Sequence, residues 1–236
     1  HLLPQGEKDY LNPMPLSPDI LAWRDEVLRP PGPFNGLARA TQRRINGMIP
    51  EKVHAAITTA IEGMTRGMLV GSDFMTGAPR LGLSLDERRV LAAKAIDGWK
   101  KTAAVEGGVT GLGGFLAAAA DFPLSFKIKL LFEIAAVFGH DGQALSERLF
   151  ILHIFELAFS DAEHRAAVMD AMQDWDAKAH PAHLDDFDWR AFQQQYRDHI
   201  DLAKLAQFLP VVGAPLGAIV NWRLVERLGH TAVMAY

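Results

Sequence analysis

The sequence predicts an all-α protein: a single-domain, multi-helix bundle whose central helices are rich in glycine and closely packed. Three observations predict it. Apolar residues recur at helical spacing in nearly every periodic stretch, while the alternation of a half-buried strand is missing. Helix-start signatures recur at Ser17-Pro18, at Ser84 to Glu87 and at Ser160 to Glu163. Small residues gather inside apolar stretches, as in EGGVTGLGGFLAAAADFPLSFKIKLLF from Glu106 to Phe132.

The totals agree with one self-sufficient fold. A chain of 236 residues buries a sizeable core without staples. With 24 Lys and Arg against 28 Asp and Glu, the formal charge is -4, so no basic field calls for nucleic acid. The absence of cysteine excludes disulfides, thiolate metal sites and a cysteine nucleophile. HLLPQGEKDYLNPMPLSPD has no basic start and apolar core, so no secretory signal is expected.

In chain order, Ser17 is placed to cap SPDILAWRDEVLR with Pro18 in its first turn, and PPGP (Pro30 to Pro33) ends it. Residues 1–33 are therefore expected to form an arm with one helix, and residues 34–236 the main helical domain. Two helices follow in NGLARATQRRING and PEKVHAAITTAIEGMTRGML, then a loop at GSDFMTGAPRLG. The small basic patch RATQRR could meet anionic head groups, although a solvated face is the commoner use. The box SLDE opens a helix expected to end near Glu106.

The glycine stretch after it is not a phosphate cradle. Gly113 and Gly114 precede Phe115, where a Walker loop needs lysine and a hydroxyl residue. Wound as a helix, it places Ala103, Gly107, Gly111, Gly114 and Ala118 on one stripe, with Asp121 at the edge. Each interior glycine costs about 1 kcal/mol relative to alanine, so a close approach of another backbone or a ligand chain must offset the loss. A second small-residue face pairs Gly213 with Gly217 in VVGAPLGAIVNW.

A helix after Pro123 sets Lys127 among apolar neighbours, where it needs a carboxylate or a path to water. Lys129 and Glu133 are spaced for a solvated pair on the opposite side. LSERLFILHIFELAF is apolar around its whole circumference and so central, with Glu147 and Arg148 near its start. His153 and Glu156 lie three residues apart; a single His-x-x-Glu lacks the partners of a metal centre, so a buried hydrogen-bonded pair is expected and no metal. SDAE should cap the next helix. His180 and His183 with Asp185, Asp186 and Asp188 read as a solvated acidic loop.

Asp188 can cap a long helix to Phe208, in which Arg197, Asp201 and Lys204 sit between two apolar stripes. An internal ion network, joined by Lys127 or Asp121, is the first reading, and a binding or catalytic cluster the second. The run Leu205 to Trp222 is charge-free for 18 residues, enough in length for a membrane span, but Pro210, Pro215, Gln207 and Asn221 argue against one.

DFPLSFKIKLLFEIAAVFGHD, ERLFILHIFELAFS and the block from FDWRAFQQQYRDHIDLAKLAQFLP to LGHTAVMAY resemble the bacterial EcsC family, as do RRINGMIPEKVHAAITTAI and EGGVTGLGG. The likeness covers residues 35–236. Where similar proteins read AMNAYR, this chain has AVMAY. The resemblance, to a family named after a gene beside those of an ABC transporter, implies a cytoplasmic helical protein open to peripheral association with the inner membrane; it does not imply an active site. It also implies a polar set of Asp121, Lys127, Glu147, Arg148, His153, Asp188, Arg197, Asp201, Lys204 and Asn221.

The function expected is a non-enzymatic module that binds a lipid or acyl chain, or docks on a membrane or transporter partner. No cofactor and no nucleic acid are expected. The alternatives are a hydrolase-like enzyme using Asp121, His153, Glu156 and Asp201, and a structural partner-binding protein. An enzyme requires those groups to converge around a cavity.

Overall fold

The computed structural model describes residues 17–29, 77–112, 124–160, 162–180 and 213–236; for 106–112, 124–127, 162, 163 and 213–221 only the backbone is described. Six α-helices occupy these residues, with no β-strand among them, so the all-α expectation holds. The expected helices between Asn35 and Leu69, and the long one ending at Phe208, lie outside the described residues.

Helix α1 runs from Pro18 to Leu28, with the Ser17 hydroxyl accepting the Ile20 amide at 3.4 Å and Pro18 in the first turn. It ends at Arg29, just before Pro30, because the residue preceding proline is driven out of helical geometry. None of its residues is buried, and it lies against α5 (Ala162–Met172). A loop described from Gly77 leads to α2, Leu85–Leu112.

The box at Ser84 forms as expected. The Ser84 amide donates to the Glu87 carboxylate at 2.8 Å, and the Glu87 amide returns to the Ser84 hydroxyl at 3.3 Å. The helix does not stop near Glu106: it continues through Gly107 and Gly111 to Leu112. Those glycines thus belong to the last two turns of the capped helix. Helix α2 packs along α6 (Gly213–Ala235) more extensively than any other described pair of helices.

Helix α3, Leu124–Phe138, follows Pro123 as expected. Gly139, at φ 94°, closes it: its amide bonds Ala136 O at 3.1 Å and the His140 amide bonds Ala135 O at 2.9 Å. This paired closure needs the left-handed conformation that glycine adopts without strain. Arg88 adds Nη1 to the Val137 carbonyl at 3.2 Å, a cation at the negative end of the helix.

Helix α4, Leu145–Phe159, is the centre that its all-round apolarity predicts, with eleven of its 15 residues buried. Phe155 and Phe159 are almost wholly enclosed, and each such side chain contributes about 2 kcal/mol of transfer free energy. After α4 the Ser160 hydroxyl donates back to Glu156 O at 2.6 Å. Helix α5 starts at Ala162, and the residue between them lies outside the described residues. A short 3-10 turn, Trp175–Ala177, follows α5.

The core is one cluster drawn from α2, α3, α4 and α6. Its closest helix contact is at Gly229 of α6, where a side chain would meet Ile96 Cγ1 of α2 at 2.4 Å. No helix among the described residues is long and apolar enough to cross a membrane.

Candidate functional site

Helix α4 carries two buried carboxylates nine residues apart, a spacing that turns them to opposite sides of the helix. Glu156, 1% exposed, accepts His153 Nδ1 at 3.1 Å and His164 Nε2 at 2.6 Å. Burial pushes its carboxyl upward, but the two histidine hydrogen bonds outweigh burial and hold it below the ordinary carboxylate range. Both oxygens are therefore occupied. The hydrogen-bonded reading of His153 and Glu156 is what the geometry shows, with His164 added from the following helix.

Glu147 faces a separate cluster, taking His140 Nδ1 at 3.2 Å and the hydroxyl of Tyr236. The Glu147 hydrogen bond raises the His140 imidazole above its ordinary range against the effect of burial. Burial first, then the Glu147 charge, pushes the Tyr236 phenol well above its own range. Aromatic contacts run from this cluster towards the other: Tyr236 meets Phe150 at 5.3 Å, Phe150 meets Trp175 at 5.4 Å, and Trp175 meets His153 at 5.4 Å. Arg148 instead anchors the turn before α4, with Nε on Gly142 O at 2.9 Å.

The expected Lys129–Glu133 pairing is replaced. Glu133 accepts the indole N–H of Trp99 from α2 at 2.7 Å, because that helix packs on α3 and its rigid donor lies closer than a solvated lysine tip. Of the acidic loop only His180 is described here: its Nε2 lies 2.7 Å from Trp175 O and its ring lies against the indole. Among the described residues no group of histidine, aspartate and glutamate is arranged to hold a metal ion.

Several expected site residues are not open to description. Asp121, Gly114, His183, Asp185, Asp186, Asp188, Arg197, Asp201 and Lys204 lie outside the described residues. Lys127 and Asn221 are placed only as backbone, in α3 and α6. Gly107, Gly111, Gly213 and Gly217 are helical, and what faces them is outside the description.

The site that sequence reading missed is a groove of about 610 Å³ bounded by α1, the end of α4, α5 and α6. Leu157, Ala158 and Val27 give it an apolar lining, with Trp23 on the same side as Val27. Arg165, Arg223 and Arg227 bring positive charge, with His230 beside them, against Glu26 and Glu226. Glu226 is already met by Lys100, whose Nζ lies 2.7 Å from it and 4.5 Å above the Trp222 ring. The signal available in the sequence was the i, i+4, i+7 spacing of Arg223, Arg227 and His230.

Comparison with known proteins agrees with this architecture. The EcsC protein family matches residues 17–236. Protein EcsC of Bacillus subtilis (strain 168) is 39% identical over 220 residues, covering 92% of this chain and 91% of that protein. Uncharacterized protein YdbA of the same organism is 30% identical over 138 residues, covering 57% of this chain and 51% of that protein. No solved structure matches. The match across nearly the whole chain, together with the all-helical core, establishes that the chain belongs to the EcsC protein family.

Proposed function

We propose that this protein is a non-enzymatic helical module that works at a membrane surface, binding lipid or a membrane-embedded partner such as an ABC transporter. The observation that carries the reading is the groove between α1, α4, α5 and α6, where an apolar lining meets a cationic rim. That combination suits an amphiphile, whose chain and head group demand opposite surroundings. Trp222, partly exposed beside Lys100, fits a water–lipid boundary, where an amphipathic ring is at home.

The carboxylate and histidine groups support the same side of the choice between binder and enzyme. Glu156 is held by His153 and His164, and Glu147 by His140 and Tyr236, so each tightens the core instead of facing a substrate. With no helix among the described residues able to span a bilayer, the association proposed is peripheral.

Flotation of the purified full chain with liposomes tests the proposal, alongside mass spectrometry of lipid extracted from the protein. The expected result is recovery in the floating fraction with anionic vesicles, or a co-purifying lipid. A protein that stays at the bottom of the gradient and yields no lipid would overturn it.

A further inference from the structure

We propose that the groove is a phosphate site, reading the phosphate of an anionic phospholipid head group or of a free phosphate compound. The inference rests on the membrane-surface reading for the lipid source alone; the phosphate chemistry stands on the groove itself. Arg223 and Arg227 lie one turn apart on α6, and Arg165 comes from α5 across the groove. Guanidinium is the side chain best shaped for phosphate oxygens, since its N–H groups form a planar fork that remains charged at any working pH.

Each guanidinium has five N–H donors, so one that also bonds protein retains directions for an anion. Of the two carboxylates that line the groove with these arginines, Glu226 is met by Lys100 at 2.7 Å. His230, on the same face of α6, adds a further donor. The apolar lining of Val27, Leu157 and Ala158 lowers the local polarisability, which strengthens charge pairing at the rim.

The test uses the full chain, with phosphatidylglycerol-containing and pure phosphatidylcholine vesicles as one arm and inorganic phosphate as the other. Inorganic phosphate is read as the shift in thermal unfolding midpoint over chloride at matched ionic strength. Arg223→Glu removes one groove cation, and Lys94→Glu, an equal charge change on exposed α2, is the control. General salt stabilisation is shared by every variant, so the difference between them isolates the site.

The expected result is that phosphate raises the midpoint and phosphatidylglycerol vesicles retain the protein. Arg223→Glu should abolish the phosphate shift and weaken vesicle partition by about tenfold or more, with Lys94→Glu well short of either effect. A phosphate shift lost in Arg223→Glu without vesicle binding supports the site with free phosphate as its source, and sinks the membrane reading. Vesicle binding unaffected by Arg223→Glu, with no phosphate shift, overturns the phosphate site and leaves the membrane reading standing. Neither binding overturns both. Should Arg223→Glu fail to fold, Arg223→Gln and Arg165→Gln are read for losses in the same direction.

Discussion

Glu156 of α4 and His164 of α5 meet at 2.6 Å, Oε1 to Nε2, in a place where both side chains are almost fully enclosed. The contact ties the central helix to the one that follows it, and His153 holds the other oxygen at 3.1 Å. Deleting one partner of a buried hydrogen-bonded pair strands the other without water. Glu156→Ala is therefore expected to lower unfolding free energy by about 3 kcal/mol, measured by urea titration. In combination with His164→Ala the losses should fall short of additive by about 1 kcal/mol or more; simple addition would show that the two do not interact.

The same carboxylate sets an acid limit. Its folded value is depressed, so its contribution is fully present above the unfolded value, about pH 4.5, and is lost as pH falls through the lower folded value. Urea midpoints followed downward from pH 6 should fall more steeply in the wild type than in Glu156→Gln, which has no proton to take up there. Parallel curves would mean that another carboxylate governs the acid limb.

His140 acts in the opposite direction. Its hydrogen bond to Glu147 raises the folded value, with Asp176 adding to the rise and Arg88 opposing it. The stabilisation is complete below the ordinary histidine value, about 6.5, and is lost as pH climbs through the raised one. His140→Asn should be less stable than the wild type at pH 6, and the gap should narrow towards pH 9. NMR titration of the His140 ring reads the shift itself, and an ordinary titration midpoint would contradict the assignment.

Local chemistry makes the simplest stability prediction. Ser84 and Glu87 close a reciprocal box at the head of α2, and the Ser84 amide and hydroxyl, both donating to the Glu87 carboxylate, draw it below its ordinary range. Ser84→Ala leaves the Glu87 amide without its partner and is expected to cost about 1 kcal/mol in chemical denaturation. No change would show that water replaces the cap at this exposed end.

What the sequence made legible follows from how local each signal is. The caps at Ser17 and Ser84, the start after Pro123 and the central standing of Leu145–Phe159 were readable because a few adjacent residues decide them. The continuation of α2 past Glu106 was not, since glycine propensity argued for a stop that the helix does not make. His164 was missed because its meeting with Glu156 depends on the angle of the turn between two helices. The groove was missed for a similar reason: its arginines come from two helices, and its opposite wall is α1, which the sequence leaves as an arm.

Gly229 shows the same blindness and makes the sharpest packing prediction. The sequence drew attention to Gly107, Gly111, Gly213 and Gly217, yet the close approach that can be measured is at Gly229, where a Cβ would lie 2.4 Å from Ile96 Cγ1. Two effects oppose each other in Gly229→Ala. Helix propensity favours alanine by about 1 kcal/mol, whereas forcing a methyl group into a filled contact costs about 1–3 kcal/mol. Ile96 is β-branched, stiff at χ1 and packed against the core, so it cannot turn aside cheaply. Steric cost should win, and Gly229→Ala is expected to be less stable than the wild type by about 1 kcal/mol in urea unfolding. In an Ile96→Ala background the obstruction is gone and only propensity remains, so there the same substitution should become neutral or stabilising. An equal loss in both backgrounds would place the strain somewhere other than the Gly229–Ile96 contact.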